Sequence, residues 1–185
     1  MPQKLTLDDA RQSLTAHVAG KGADLRAKYG SPIGWSQLQR ILLDGDFVRY
    51  PCELVFDSSP LEPGETAYPQ LRGERPEDGF RLCVHPYFAL DAQRVPLLAL
   101  YQLVAVNYGG FASPEDAEAF GAAALGLTVD DYYAALCAMA DEISTEAPEP
   151  DEPAHAGCHC GGTGGGCSSS SATPPGEGVD PSLPR

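Results

Sequence analysis

The stretch Val95-Pro96-Leu97-Leu98-Ala99-Leu100-Tyr101-Gln102-Leu103-Val104-Ala105-Val106-Asn107-Tyr108-Gly109 decides the architecture. Proline stands near its start, where the first turn of a helix has no use for a backbone N–H, and glycine stands at its end. Between them, apolar residues fall on nearly every side of a 3.6-residue period. A helix that is apolar all round is a central, buried one. The run is also shorter than the roughly 18 to 20 apolar residues that a membrane span requires.

The flanking sequence supplies what this helix packs against. Just upstream, Phe80, Leu82 and Val84 alternate with Arg81, Cys83 and His85, which predicts a strand ending at Pro86. A second strand is predicted over 47–57, with Cys52, Leu54 and Phe56 on one face and Glu53, Val55 and Asp57 on the other. Between the two, Pro60, Pro63, Gly64, Pro69, Gly73 and Pro76 mark a long connection with at most one extended stretch, around Thr66 to Leu71. At the start of the chain Thr6-Leu7-Asp8-Asp9 has the form of a capping box. Leu7, Ala10, Leu14, His17 and Val18 then recur at helical spacing toward Tyr29, with His17 expected in an interfacial core position. Ser31-Pro32 breaks the chain, and Trp35, Leu38, Ile41 and Leu42 mark a second, short helix ending near Asp44-Gly45. These two helices are expected to cover one face of the sheet. Downstream, Ser113-Pro114-Glu115-Asp116 and Thr128-Val129-Asp130-Asp131 are two more capping boxes, opening helices to about Leu125 and Ile143. The order of elements predicts an α+β domain over residues 1–145, a small sheet packed with about five helices.

Charge narrows the function. The 185-residue chain carries a net charge of -14, divided into 20 acidic and 11 basic residues before residue 146 and 6 acidic residues against Arg185 after it. Such a surface repels phosphate backbones and anionic headgroups, so no nucleic-acid or membrane partner is expected. The start of the chain lacks the charged-then-apolar pattern of a signal peptide, and a cytoplasmic location is predicted. Cys52, Cys83 and Cys137 lie far apart in apolar, periodic surroundings that suit buried, reduced thiols.

From the strand Glu53-Leu54-Val55-Phe56-Asp57 through Gly79 to Pro86, the helix around Tyr101 and the run Glu115-Asp116-Ala117-Glu118-Ala119-Phe120-Gly121-Ala122-Ala123-Ala124-Leu125, the chain resembles the core of zincin metallopeptidases. The resemblance covers about residues 47–127. It implies a strand pair before a buried helix that bears HExxH, with a later helix supplying a third, acidic zinc ligand. HExxH works because two imidazoles four residues apart share a helix face and bind one Zn²⁺, while the glutamate takes a proton from the metal-bound water. The matching positions here hold Tyr101, Gln102 and Ala105, and the third-ligand position falls on Ala117, flanked by Asp116 and Glu118. The resemblance therefore implies a zincin-like fold that has lost its metal, a pseudoenzyme; the other reading is an unrelated α+β domain. Apart from it, Cys83 and His85 share a strand face, and a thiol beside an imidazole is the weak catalytic candidate of the chain.

After Ile143 the composition turns to Glu146-Ala147-Pro148-Glu149-Pro150-Asp151-Glu152-Pro153, and a disordered Pro/Gly/Ser-rich tail is predicted over 146–185. Within it stand His155, Cys158, His159, Cys160 and Cys167. Thiolate and imidazole suit Zn²⁺, Cu(I) and Ni²⁺, and the glycines between them let a short backbone wrap an ion. The alternatives for this cluster are a redox-active thiol pair or incidental cysteines. Two functions are expected from these residues. The first is a non-catalytic cytosolic accessory protein that docks on a protein partner and binds a soft transition metal with its tail. The second is an enzyme, zincin-derived or based on Cys83 and His85.

Overall fold

The computed structural model describes residues 6–146. Five helices and a three-stranded sheet follow in the order α1 (Leu7–Tyr29), α2 (Trp35–Leu42), β1 (Cys52–Phe56), β2 (Ala67–Leu71), β3 (Phe80–Val84), α3 (Val95–Tyr108), α4 (Pro114–Leu125) and α5 (Val129–Glu146). The domain is α+β, as the order of elements predicts. Among the described residues no helix is long and apolar enough to cross a membrane.

Local chemistry sets the helix starts. Thr6 accepts from the Asp9 N–H at 3.2 Å while Asp9 accepts from the Thr6 N–H at 2.9 Å, and Ser113 with Asp116 repeats the exchange at α4. Thr128 accepts from the Asp131 N–H at 3.1 Å at the head of α5. Each exchange satisfies N–H groups that the first helical turn leaves unpaired.

The strands run β1-β3-β2, with β1 parallel and β2 antiparallel to the central β3. Leu54 and Pro69 both oppose Leu82. Leu82, Val84 and Ala67 turn inward and share a core with Leu98 and Ala99 of α3 and with Met139 and Ile143 of α5. A second core joins Val18 and Leu25 of α1, Ile41 of α2, Leu100 and Leu103 of α3 and Phe120 of α4. Because α3 feeds both cores, it needs apolar side chains all round.

Three expectations change and a fourth holds in sharper form. First, α1 packs along α4 and not over the sheet. The two helices approach so closely that a Cβ on Gly22 would lie 2.4 Å from the Phe120 carbonyl oxygen, so Gly22 is a contact surface. Second, the strand predicted over 47–57 begins at Cys52, because Phe47 and Val48 belong to a turn in which both N–H groups donate to the Asp44 carbonyl. The Asn107 side chain fixes this turn to α3 by donating to the Phe47 carbonyl at 2.7 Å and accepting from the Arg49 N–H at 2.8 Å. Third, and as expected, the extended stretch around Thr66 to Leu71 forms, as the edge strand β2 (Ala67–Leu71). Fourth, His17 is exposed, its ring edge-on to Tyr108 at 6.1 Å, and not in the core.

Candidate functional site

A cleft of about 270 Å³ opens where α3, α4 and α5 meet the entry to β2. Its apolar floor comes from Ala67, Leu98, Leu136 and Ala140, and its polar rim from Tyr101, Gln102, Glu118, Tyr133, Cys137 and Glu65. Among the described residues no lysine, arginine or histidine lines it.

Three contacts fix the helices that carry these groups. Arg94, at the head of α3, donates two hydrogen bonds to the Glu142 carboxylate of α5, at 2.8 and 2.7 Å. This paired geometry holds a guanidinium and a carboxylate in one plane. Tyr132 of α5 is fully buried and donates to the Leu97 carbonyl at 2.6 Å. With Tyr132 directed into the core, the next residue, Tyr133, is placed on the cleft side. The Tyr132 ring nests where α4 carries Gly121, since a Cβ there would lie 2.2 Å from it.

Gln102 donates from its side-chain amide to the Ala67 carbonyl at 2.7 Å, tying α3 to the edge strand. The edge itself follows from the antiparallel alternation. Thr66 and Arg72 bond to β3 through the His85 N–H and the Gly79 carbonyl, so Ala67, Pro69 and Leu71 direct their backbone groups outward. Pro69 has no N–H to offer, and the Ala67 carbonyl is already taken by Gln102. An extended peptide laid along β2 would meet few free partners.

The electrostatics of the cleft are one-sided. Glu118 is half-buried, and among the described residues no hydrogen-bond donor or cationic side chain meets its carboxylate. Burial, and then the neighbouring Glu115, push its pKa up. Tyr101 is raised by burial and next by Glu118 and Glu115. Tyr133 is raised first by a hydrogen bond with Cys137, one turn further along α5. The phenols stay protonated, and Glu118 has no counterion among the described residues.

The structure separates the residues that the sequence singles out. Tyr101 and Gln102 line the cleft, Ala105 lies exposed one turn further along α3, and of the three residues around the matched acidic position only Glu118 reaches the cleft. Ala117 is 5 % exposed in the core, and Asp116 is occupied with the Ser113 cap. Tyr133 and Cys137 join the cleft through α5, a convergence that only tertiary packing shows. Cys137 is thus half-buried in the cleft wall instead of buried in the core. Cys83 and His85 share a face of β3 but do not pair. The Cys83 thiol is fully buried and donates to the Arg81 carbonyl at 3.7 Å, while His85 Nδ1 accepts from the Tyr87 N–H at 3.3 Å. Burial and the nearby Asp57 raise the Cys83 pKa, opposite to what a nucleophilic thiol needs. His155, Cys158, His159, Cys160 and Cys167 lie outside the described residues. Among the described residues no group of three or more His, Cys, Asp and Glu is arranged to hold a metal ion.

A second concavity of about 300 Å³ gathers His17, Lys21, Asp46, Arg49 and Asn107 between α1 and α3. Several of its polar groups are already engaged. Lys21 Nζ donates to the Asp46 carbonyl at 3.4 Å, and both ends of the Asn107 amide hold the Phe47 turn. The first cleft is the one that holds a half-buried carboxylate, Glu118, with no hydrogen-bond partner among the described residues. Comparison of the chain with known proteins returns no similar family model, no similar curated protein and no similar solved structure.

Proposed function

We propose that the protein is a non-catalytic binding protein, an acidic α+β domain with a small ligand cleft, followed by a Cys/His segment that binds a soft transition metal. The observation that carries the non-catalytic half is the wiring of Gln102. It stands where a zincin-like chain would place its general base, and its amide is tied to the Ala67 carbonyl as a link between helix and sheet. Tyr101 and Ala105, in the places of the two imidazoles, offer no metal-binding nitrogen. On this reading the zincin-like pattern of the sequence comes without zincin chemistry.

Support for the metal half is compositional. Three thiols and two imidazoles fall between His155 and Cys167. Ligands so closely spaced along a glycine-rich chain favour a labile site that gives up its ion to a partner protein over a closed structural one. A cytoplasmic accessory role, receiving or delivering Zn²⁺, Cu(I) or Ni²⁺, follows from that lability.

Titration of the reduced full-length chain with Zn²⁺, Cu(I) and Ni²⁺ tests this reading, alongside a variant with Cys158, Cys160 and Cys167 all replaced by Ser. Stoichiometric binding of one metal by the native chain and its loss in the variant are expected. Equal binding by both proteins removes the tail from the proposal.

A further inference from the structure

We infer that the cleft between α3, α4 and α5 is a binding site for a small organic ammonium cation, held by the Glu118 carboxylate and the rings of Tyr101 and Tyr133. The inference rests on the reading of the chain as a binding protein and names a ligand class for its cleft.

The unpaired carboxylate is the first ground. A half-buried acid normally finds a donor or a cation, yet Glu118 has neither among the described residues, and Glu65 adds a second acid to a lining without a basic residue. The site carries negative charge waiting for a positive partner, in a chain whose net charge of -14 already draws cations toward it.

The rings are the second ground. Tyr101 from α3 and Tyr133 from α5 line the same cleft as Glu118 from α4. The face of an aromatic ring attracts a cation, and two rings with a carboxylate select an alkylammonium over a strongly hydrated metal ion. The floor of Ala67, Leu98, Leu136 and Ala140 suits the methyl or methylene groups of such a cation, and about 270 Å³ holds a head group and a few carbons. A metal ion fits less well, because the groups that flank Glu118 are protonated phenols and a half-buried thiol.

The test titrates tetramethylammonium and butylammonium into reduced full-length protein, with a chelator present to keep metals away from the tail. Binding is read from amide chemical shifts of α3, α4 and α5, with tert-butanol as the neutral control and butyrate as the anionic one. Saturable binding of at least one cation is expected at about 0.1 to 10 mM, with both controls at least about tenfold weaker. Glu118→Gln is expected to weaken binding about tenfold, and Tyr133→Leu about threefold to fivefold, while Tyr133→Phe keeps the ring and binds nearly as the native chain does. Should Glu118→Gln fail to fold, the exposed Tyr133 pair and the comparison of cation with tert-butanol still decide. No saturable shift up to about 50 mM, equal binding of tert-butanol, or variants that match the native chain would overturn the inference. Chemical alteration of the bound cation would instead overturn the non-catalytic reading and leave the cation site standing. Loss of metal binding in the tail experiment touches neither.

Discussion

Replacing Gly121 by Ala should destabilise the domain through a single contact. A Cβ at residue 121 would lie 2.2 Å from Cζ, 2.3 Å from the hydroxyl oxygen and 2.4 Å from Cε1 of Tyr132. Carbon atoms rest about 3.5 to 4.0 Å apart, so the ring must retreat by more than about 1 Å. It has nowhere to go, since Tyr132 is fully buried and its hydroxyl is anchored 2.6 Å from the Leu97 carbonyl. Overpacking of this kind costs about 1 to 3 kcal/mol, and the clash here sits at the upper end. Loss of the hydroxyl bond adds about 1 kcal/mol. Exchanging glycine for alanine inside a helix returns about 1 kcal/mol. The net is about 2 to 3 kcal/mol, or a thermal midpoint lower by about 5 to 10 °C in a domain of this size. Thermal unfolding of the full chain followed by circular dichroism measures it. Adding Tyr132→Leu in the same chain should make the double variant less unstable than the sum of the two singles by at least about 1 kcal/mol, because the smaller side chain makes room for the methyl group. A Gly121→Ala midpoint equal to or above the native one would refute the packing described for α4 and α5.

Two neighbouring glycines of α1 should respond with opposite signs. At Gly20 an added Cβ meets nothing within 4 Å, so Gly20→Ala should raise the midpoint by about 2 °C, whereas Gly22→Ala, pressed 2.4 Å against the Phe120 carbonyl, should lower it by several degrees. Unfolding scans of the two variants side by side check both. Hydrogen bonds from Lys28 and Tyr29 hold the Asp44 carboxyl down to about 2, below its ordinary 3.8. A folded-state pKa below the unfolded one stabilises the fold above the unfolded value, and the gain is lost as pH falls through the window from about 4 toward 2. The midpoint difference between native chain and Asp44→Asn should therefore be present at pH 6 and shrink across that window. A difference that does not change with pH contradicts this account. Burial pushes the Cys52 thiol up to about 11 and raises Cys83 as well, so site-resolved alkylation of the native chain at pH 7 should leave both unmodified until denaturant is added. Rapid labelling of either would show its strand to be open.

The parts of the fold that local chemistry decides are the parts the sequence discloses. Thr6 with Asp9, Ser113 with Asp116 and Thr128 with Asp131 announce three helix starts within four residues each, and Phe80, Leu82 and Val84 announce the inner face of β3. What stays hidden depends on residues far apart in the chain. The turn at Phe47 looks like strand until Asn107, sixty residues away, is seen to hold it. The pairing of β2 is hidden too, although its extended stretch is not: Pro69 fits the strand because its missing N–H faces away from β3. Tyr101 and Gln102 are conspicuous in an otherwise apolar helix, but Glu118 differs from its neighbours Asp116 and Ala117 only in which way α4 is rotated. Tyr133 and Cys137 carry no signal before α5 is packed against α3.

The blunted outer edge of β2 also bears on how this chain behaves in a crowded solution. A sheet grows by adding strands to whichever edge still offers alternating donors and acceptors, and copies of one chain supply identical strands in unlimited number. Here the donor is missing at Pro69, and the Ala67 acceptor is occupied by Gln102 from the same molecule. Growth on that side is hindered by a ring of five atoms and one amide, and a Gln102→Leu exchange would free the Ala67 carbonyl again.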